Sequence, residues 1–427
     1  MIFEPELETL PRERLRELQL ERLRSLLPYV KERVPLYRDR LADVDITSLD
    51  DLHGLPFTRK EDLRETYPFG MFAVPRGQLQ RIHASSGTTG KLTVVGYTRA
   101  DVELFATVNA RALAMGGAEP GMILHNAYGY GLFTGGLGLH DGGERLGMTV
   151  VPVSGGLTER QLMLIRDFRP EVICCTPSYA LTLAQAFAER GVAPDGLSVR
   201  YALLGAEPWT EPMRREIDSR LGVTSTNIYG LSEVIGPGVS CECVDERAGL
   251  HVNEDHFLPE IVDPVTGRPL PEGEQGVLVF TTLTKQALPL VRYWTGDITS
   301  LSSAECSCGR TLVRMSRIAG RTDDMLIIRG VNVFPTQVEA ALLSLPELTP
   351  NYRIVVSRSG TLDEAEVEVE VSEALAADRA GEVRERAERQ LRERIGCSLR
   401  VTLQAPGTVP RSEGGKLQRV IDRRTLA

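Results

Sequence analysis

The 427-residue sequence predicts an α/β fold: a large N-terminal domain with a parallel sheet and helices plus a smaller β-rich subdomain, followed by a small mobile α+β C-terminal domain. Three observations predict it. Between about 100 and 230, short apolar runs alternate with longer segments of helical period, the pattern of a parallel sheet covered by helices. From about 255 to 300 the runs become β-rich and are punctuated by D-P-V-T-G and P-E-G-E-Q-G, the marks of turns in an antiparallel subdomain. Beyond Arg321-Thr322-Asp323-Asp324 about a hundred residues remain, enough for a compact α+β unit.

The elements follow in order. M-I-L-H-N-A, M-T-V-V-P-V, E-V-I-C-C-T, Y-A-L-L-G-A and T-S-T-N-I-Y-G read as strands, and 157–168 and 179–190 as helices with apolar residues at three- and four-residue spacing. Ligands gather at the carboxyl ends of parallel strands. Gly205-Ala206-Glu207-Pro208 and Tyr229-Gly230-Leu231-Ser232-Glu233 each fall at such an end and can share one crevice. In the last unit Pro335 opens a helix, 352–357 and 364–371 are strands, 380–395 is a charged helix and 399–403 a final strand. The domains divide as 1–321 and 322–427, with a short junction suited to a hinge. E-A-E-V-E-V-E-V alternates strictly, so its glutamates read as a solvated face with no catalytic role.

A net charge of −9 argues against nucleic acid or an anionic membrane as the main partner. No apolar stretch reaches bilayer-spanning length, and M-I-F-E-P-E-L-E lacks the regions of a signal peptide, so a cytoplasmic protein is expected. Seven cysteines in that compartment do not suggest a disulfide framework. Cys174, Cys175 and Cys397 read as buried thiols.

The segment S-S-G-T-T-G-K at 85–91 sets two glycines, hydroxyls and a lysine just after an apolar–polar alternation. Such a loop can converge N–H groups, hydroxyls and charge on a phosphate, and it reads equally as a solvated turn between strands. It is not an NTPase P-loop: Ser85 stands where that motif needs its first glycine, and Leu92 where it needs the magnesium-binding hydroxyl.

Taken with Y-G-L-S-E (229–233), Y-W-T-G-D (293–297), G-R-T-D-D-M (320–325) and P-R-S-E-G-G-K (410–416), this loop resembles the adenylate-forming superfamily of acyl-CoA synthetases and ligases. The runs N-A-Y-G-Y-G-L-F-T-G-G (126–136), G-L-H-V-N-E-D-H-F (249–257) and I-I-R-G-V-N-V-F-P-T-Q-V-E (327–339) are similar to the phenylacetate-CoA ligase family and its aryl-CoA ligase relatives. Leu92 departs from the proline that family usually carries, which loosens the loop's exit without removing a polar group.

The resemblance implies ATP-dependent activation of a phenylacetate-like aromatic carboxylic acid to acyl-AMP, then transfer to CoA with release of AMP. It also admits an aryl-acid adenylating enzyme that loads a carrier-protein pantetheine with anthranilate-type acids. In either case it implies that Ser86, Gly87, Thr88, Thr89, Gly90 and Lys91 hold the departing phosphates. Gly205, Ala206, Glu207, Pro208, Tyr229 and Gly230 would frame the nucleotide, with the Tyr229 ring on adenine. Ser232 would reach the α-phosphate, and Glu233, a hard oxygen donor, would take Mg2+. Asp297 would accept the ribose hydroxyls and Arg321 would contact ribose or phosphate. Asp323 would be the hinge. Lys416 would enter between the attacking carboxylate and the α-phosphate on closure. Tyr128 and Phe133 would line the acid, the Gly205-Ala206 backbone would close its floor, and a homodimer is implied.

Cys243, His251, Cys306 and Cys308 offer three thiolates and an imidazole, a closed set for structural Zn2+ that relatives also carry. The same residues read as free thiols on two loops, and Cys241 competes with Cys243.

Overall fold

The five apolar runs become the parallel half of a nine-stranded sheet. In spatial order they are Thr149–Val151, Ile123–Asn126, Val172–Cys175, Tyr201–Gly205 and Thr224–Leu231, each parallel to its neighbour. Helices Thr158–Phe168 and Pro177–Ala188 form between the strands, as the helical spacing requires. The second begins where Thr176 accepts the Tyr179 N–H at 3.3 Å and Pro177 takes the first position, whose N–H has no helical acceptor.

The sheet then continues antiparallel through Gly236–Glu242, Leu250–Val252, Arg314–Met315 and Leu301–Ser302. Three of these four strands have only two or three residues, too few to show alternation in sequence. A second sheet, Phe257–Val262, Gly276–Thr282, Tyr293–Thr299 and Gly320–Arg321, is the expected antiparallel subdomain. The amino-terminal helix Arg12–Arg33 buries Leu23, Leu26, Leu27 and Val30, one apolar stripe, in the core shared with that subdomain.

The computed structural model describes residues 1–85, 92–322, 326–328, 331–359, 362–373, 375–376, 379–412 and 417–424. Residues from Leu326 to Val401 build a separate apolar core under a four-stranded sheet. Helix Ala380–Ile395 faces that core with Val383, Ala387, Leu391 and Ile395, one every four residues, and ends at Gly396 with φ 78°. The strand Leu362–Val371 alternates as expected with one correction: Glu370 is 1% exposed. Its carboxylate accepts the Val409 N–H at 2.6 Å and both Arg411 terminal nitrogens at 2.8 and 2.6 Å, so this glutamate anchors the segment leading to 410–416 and is not on the solvated face. Among the described residues no helix is long and apolar enough to cross a membrane.

Candidate active site

The two strand-end segments share one edge of the large sheet. Gly205 ends its strand paired with Ile228, one residue before Tyr229. A side chain at Gly205 would place Cβ 2.1 Å from the Ile228 carbonyl oxygen, so only glycine fits. Ala206 follows with φ 71°, a left-handed conformation that non-glycine residues adopt at a cost and that clusters at functional sites.

Motifs far apart in sequence meet on Asp297. This aspartate is 3% exposed and lies opposite Arg321 in the antiparallel pair. Arg321 donates to Asp297 Oδ1 at 2.6 Å, while the Tyr229 hydroxyl donates to Oδ2 at 2.5 Å. Burial, then the neighbouring Asp297 charge, pushes the Tyr229 phenol well up, so it stays a donor at neutral pH. The result is one carboxylate oriented by a phenol and a guanidinium from three separate motifs.

Beyond Tyr229 the chain turns at 232–235. Ser232 is buried, its Oγ 3.3 Å from Thr134 Oγ1 just before helix Gly135–Leu146. Glu233 is also buried, with Oε1 3.8 Å from Lys60 Nζ. The hairpin Arg81–Ser85 and Thr93–Tyr97 docks on this turn, since the Tyr97 hydroxyl donates to the Ile235 carbonyl at 2.8 Å. Ser85 faces Thr93 across that hairpin, and Ser86, Gly87, Thr88, Thr89, Gly90 and Lys91 lie outside the described residues.

The carboxyl-terminal unit reaches the same edge. Glu207 accepts the Ser178 N–H on Oε1 at 2.6 Å and the Leu417 N–H on Oε2 at 3.3 Å. Nearby, the Thr182 hydroxyl lies 3.2 Å from the Ser178 carbonyl of its own helix and 3.4 Å from the Ser412 carbonyl, so the two acceptors share its proton. Lys416 and Asp323 lie outside the described residues. Pro208 is exposed.

Tyr128 and Phe133 border one helix start. A Cβ on Gly135 would lie 2.7 Å from the Phe133 ring and 3.5 Å from that of Tyr128. Tyr128 is buried with Ala206 packed against its cluster, whereas Phe133 is 36% exposed. Together they give an aromatic wall that is buried at Tyr128, where the phenol hydroxyl is the polar atom, and open at Phe133.

At the far end of the large sheet, Cys243, His251, Cys306 and Cys308 bring their ligand atoms within 4.8 Å of one another. The Cys243–Cys306 sulfur separation is 3.6 Å and the Cys308 Sγ–His251 Nε2 separation 3.5 Å. Zinc–sulfur and zinc–nitrogen bonds of ordinary length at tetrahedral angles require about 3.8 and about 3.6 Å. His251 Nδ1 lies 3.4 Å from the Leu312 carbonyl, which fixes the tautomer that leaves Nε2 as a ligand. Cys241 points elsewhere, toward the Ala112 carbonyl at 3.5 Å.

Two family models match the chain: AMP-binding enzyme over residues 82–283 and AMP-binding enzyme C-terminal domain over 330–424. The phenylacetate-coenzyme A ligase of Thermus thermophilus is 64% identical, covering 99% of this chain and 100% of its own. That of Pseudomonas putida is 51% identical over 98% of this chain and 96% of its own. The chain belongs to the phenylacetate-coenzyme A ligase family. Its fold superposes on 2-hydroxyisobutyryl-CoA ligase in the postadenylation state with 2-HIB-AMP at TM-score 0.92 and 29% identity, over 99% of this chain and 92% of that one. Against the same ligase with 2-HIB-AMP and CoA in the thioesterification state the TM-score is 0.73, at 29% identity over 98% and 92% of the two chains. The arrangement described here is thus closer to the postadenylation one.

Two side chains of this phenylacetate-coenzyme A ligase family member, Lys60 and Lys285, reach the site without belonging to any motif read from sequence, and Thr134 reaches it from the run at 126–136, where only Tyr128 and Phe133 were expected to serve. Lys285 is 2% exposed and donates to the Glu233 carbonyl oxygen at 3.0 Å. Burial pushes its ammonium down to about 8. No local pattern marks the two lysines, because tertiary contact alone brings them to the turn at 232–235.

Proposed function

We propose that this enzyme activates a phenylacetate-like aromatic acid with ATP and transfers it to CoA. The acid's carboxylate oxygen bonds to the α-phosphorus as pyrophosphate leaves, giving acyl-AMP; the CoA thiolate then bonds to the acyl carbon as AMP leaves. Both steps build charge that fixed donors must meet. In this reading Asp297 accepts the ribose hydroxyls, Arg321 adds a donor beside it and the Tyr229 ring faces adenine, with Gly205, Ala206, Glu207, Pro208 and Gly230 framing the base. Ser232 donates to the α-phosphate, and residues 86–91 hold the departing phosphates. Glu233 would hold Mg2+, which neutralises triphosphate charge. Tyr128 and Phe133 take the aromatic ring.

The observation that carries this reading is the Leu417–Glu207 contact: it brings the residue after Lys416 to the strand ends where the Tyr229–Asp297–Arg321 cluster waits. Two units, 1–321 and 322–427, turning about Asp323, fit the separate apolar core of the second. Cys243, His251, Cys306 and Cys308 would hold a structural zinc that cross-links the loop before Arg314 to strand Leu250–Val252. The enzyme would act in the cytoplasm as a homodimer, and sedimentation of the purified protein at the monomer mass would dismiss the dimer.

The deciding experiment is carboxylate-dependent ATP–pyrophosphate exchange across aryl acids, followed by thioester formation. Exchange with phenylacetate and thioester on free CoA is the expected result. Exchange with no acid sinks the proposal, and thioester only on a carrier-protein pantetheine replaces the acceptor.

A further inference from the structure

The turn at 232–235 carries two proposed ligands, Ser232 and Glu233, yet little within the turn itself holds it. Its internal bonds are the Val234 and Ile235 N–H groups, both donating to the Leu231 carbonyl at 3.1 Å. The carbonyls of Glu233 and Ile235 point outward and are met by side chains from elsewhere. Lys285 Nζ donates to the first at 3.0 Å and the Tyr97 hydroxyl to the second at 2.8 Å. These two side chains also touch, with the Lys285 ammonium 4.9 Å from the centre of the Tyr97 ring. Lysine, ring and turn therefore form one buried clamp between the hairpin and the second sheet.

A lysine here is an expensive choice. Both residues are buried, Tyr97 at 0% and Lys285 at 2% exposure, and an ammonium taken from water costs several kcal/mol unless strongly compensated. The charges of Asp101 and Glu233 offset part of that cost, although Asp101 also accepts the N–H groups of Gln286 and Ala287 at 2.7 and 2.8 Å and Glu233 also faces Lys60. A methionine would fill the same volume without that cost. What it lacks is the N–H that reaches the Glu233 carbonyl.

We propose that Lys285 is a positioning residue for Glu233, its bond to the Glu233 carbonyl and its seat on the Tyr97 ring setting the direction in which the Glu233 carboxylate meets Mg2+. Lys285 itself touches neither metal nor nucleotide. The inference rests on Glu233 as the Mg2+ ligand.

The test is the Mg2+ dependence of carboxylate-dependent ATP–pyrophosphate exchange in full-length Lys285→Met, Lys285→Arg, Tyr97→Phe and Glu233→Gln, with thioester formation from supplied acyl-AMP as the second readout. Losing a hydrogen bond from a charged donor should raise the Mg2+ concentration for half-maximal exchange about tenfold in Lys285→Met and leave thioester formation within about twofold. Lys285→Arg keeps a cationic donor and should recover most of the loss, while Tyr97→Phe should give about a threefold rise. A folded Lys285→Met with the wild-type Mg2+ dependence overturns the proposal. If Lys285→Met does not fold, Tyr97→Leu, which takes the ring from beneath the Lys285 ammonium, replaces it: wild-type Mg2+ dependence there overturns the proposal, and a raised requirement supports it. Glu233→Gln separates the premises: an unchanged Mg2+ requirement there removes Glu233 as ligand and the proposal with it, whereas a raised requirement there beside an unchanged one in Lys285→Met removes the proposal alone.

Discussion

Replacing Thr210 by valine should loosen the carboxyl-terminal unit from the postadenylation-like arrangement while leaving the fold intact. Thr210 occupies the N-cap position of helix Glu211–Leu221, yet its side chain does not cap that helix. Instead its hydroxyl donates at 2.8 Å to Oε1 of Glu339, across the seam between the two units. Glu339 is 2% exposed, and burial pushes its carboxyl up against the opposing pull of Arg419, whose nitrogen lies 3.5 Å away. Valine leaves that buried oxygen short of a donor, which costs about 2 kcal/mol. That is a factor of about 30 in the docking equilibrium, so a docked form that led tenfold would fall from about 90% to about 25% of molecules. Acyl-AMP formation should therefore slow about fourfold, with thioester formation from supplied acyl-AMP unslowed. Thr210→Ser keeps the hydroxyl and should behave as wild type. Single-turnover measurement of each half-reaction is the assay. Equal slowing of both halves, or no slowing of the first, would refute the reasoning.

Lys416→Ala should abolish acyl-AMP formation yet spare thioester formation from supplied acyl-AMP, and adenylation at the wild-type rate ends that assignment. Protein purified without chelator should carry one zinc per chain by metal analysis; Cys306→Ser should lose it and lower Tm by about 5 °C or more. Zinc-free wild-type protein of unchanged Tm would dismiss the site. His256 gives a pH prediction: burial lowers its pKa from 6.5 to about 4, against the pull of Asp255. The unfolded chain then binds the proton first, so this contribution is complete above pH about 6.5 and is lost as pH falls through about 4. Its ceiling is about 3 kcal/mol, and partial exposure of the ring reduces it. Denaturant titrations of His256→Gln should show a flatter acid limb between those pH values, and an unchanged slope counts against it.

Legibility in the sequence followed the range of the forces involved. Parallel strands buried on both faces announce themselves as apolar runs, and Tyr201–Gly205 and Thr224–Leu231 fell where the runs lay. Helix Ala380–Ile395 was legible to the residue because its buried positions recur every four residues and Gly396 ends it. Leu250–Val252, Arg314–Met315 and Leu301–Ser302 were not, being too short to carry a period. Tyr229, Asp297 and Arg321 were legible as separate motifs, while their shared carboxylate required strand pairing across the second sheet. Lys285 and Lys60 left no signal, since a lone lysine in sequence does not say what it faces, and the run holding Thr134 did not show that its hydroxyl meets Ser232. Glu370 broke its strand's alternation for the same reason: a partner 41 positions away, Arg411, makes burial of its charge tolerable.

Among the described residues, the seam beside the carboxyl-terminal core is held more by hydrogen bonds than by apolar packing. The apolar cores of the two units are separate, and among the described residues apolar side chains cross between them at Leu343, itself only partly buried, on the other unit's cluster, and at the Phe334 ring, which lies against Gly320. What joins them otherwise is polar: Thr210 to Glu339, Leu417 to Glu207, Thr182 to the Ser412 carbonyl, and Thr336 to the Ala319 carbonyl at 2.5 Å. Each such bond nets about 1 kcal/mol in water, because breaking it returns donor and acceptor to solvent. An apolar seam of similar extent would cost far more to separate. Under the proposed reading of Lys416, a lysine that enters for adenylation would leave before a thiol reaches the acyl carbon, and a seam held mainly by hydrogen bonds would let it do so.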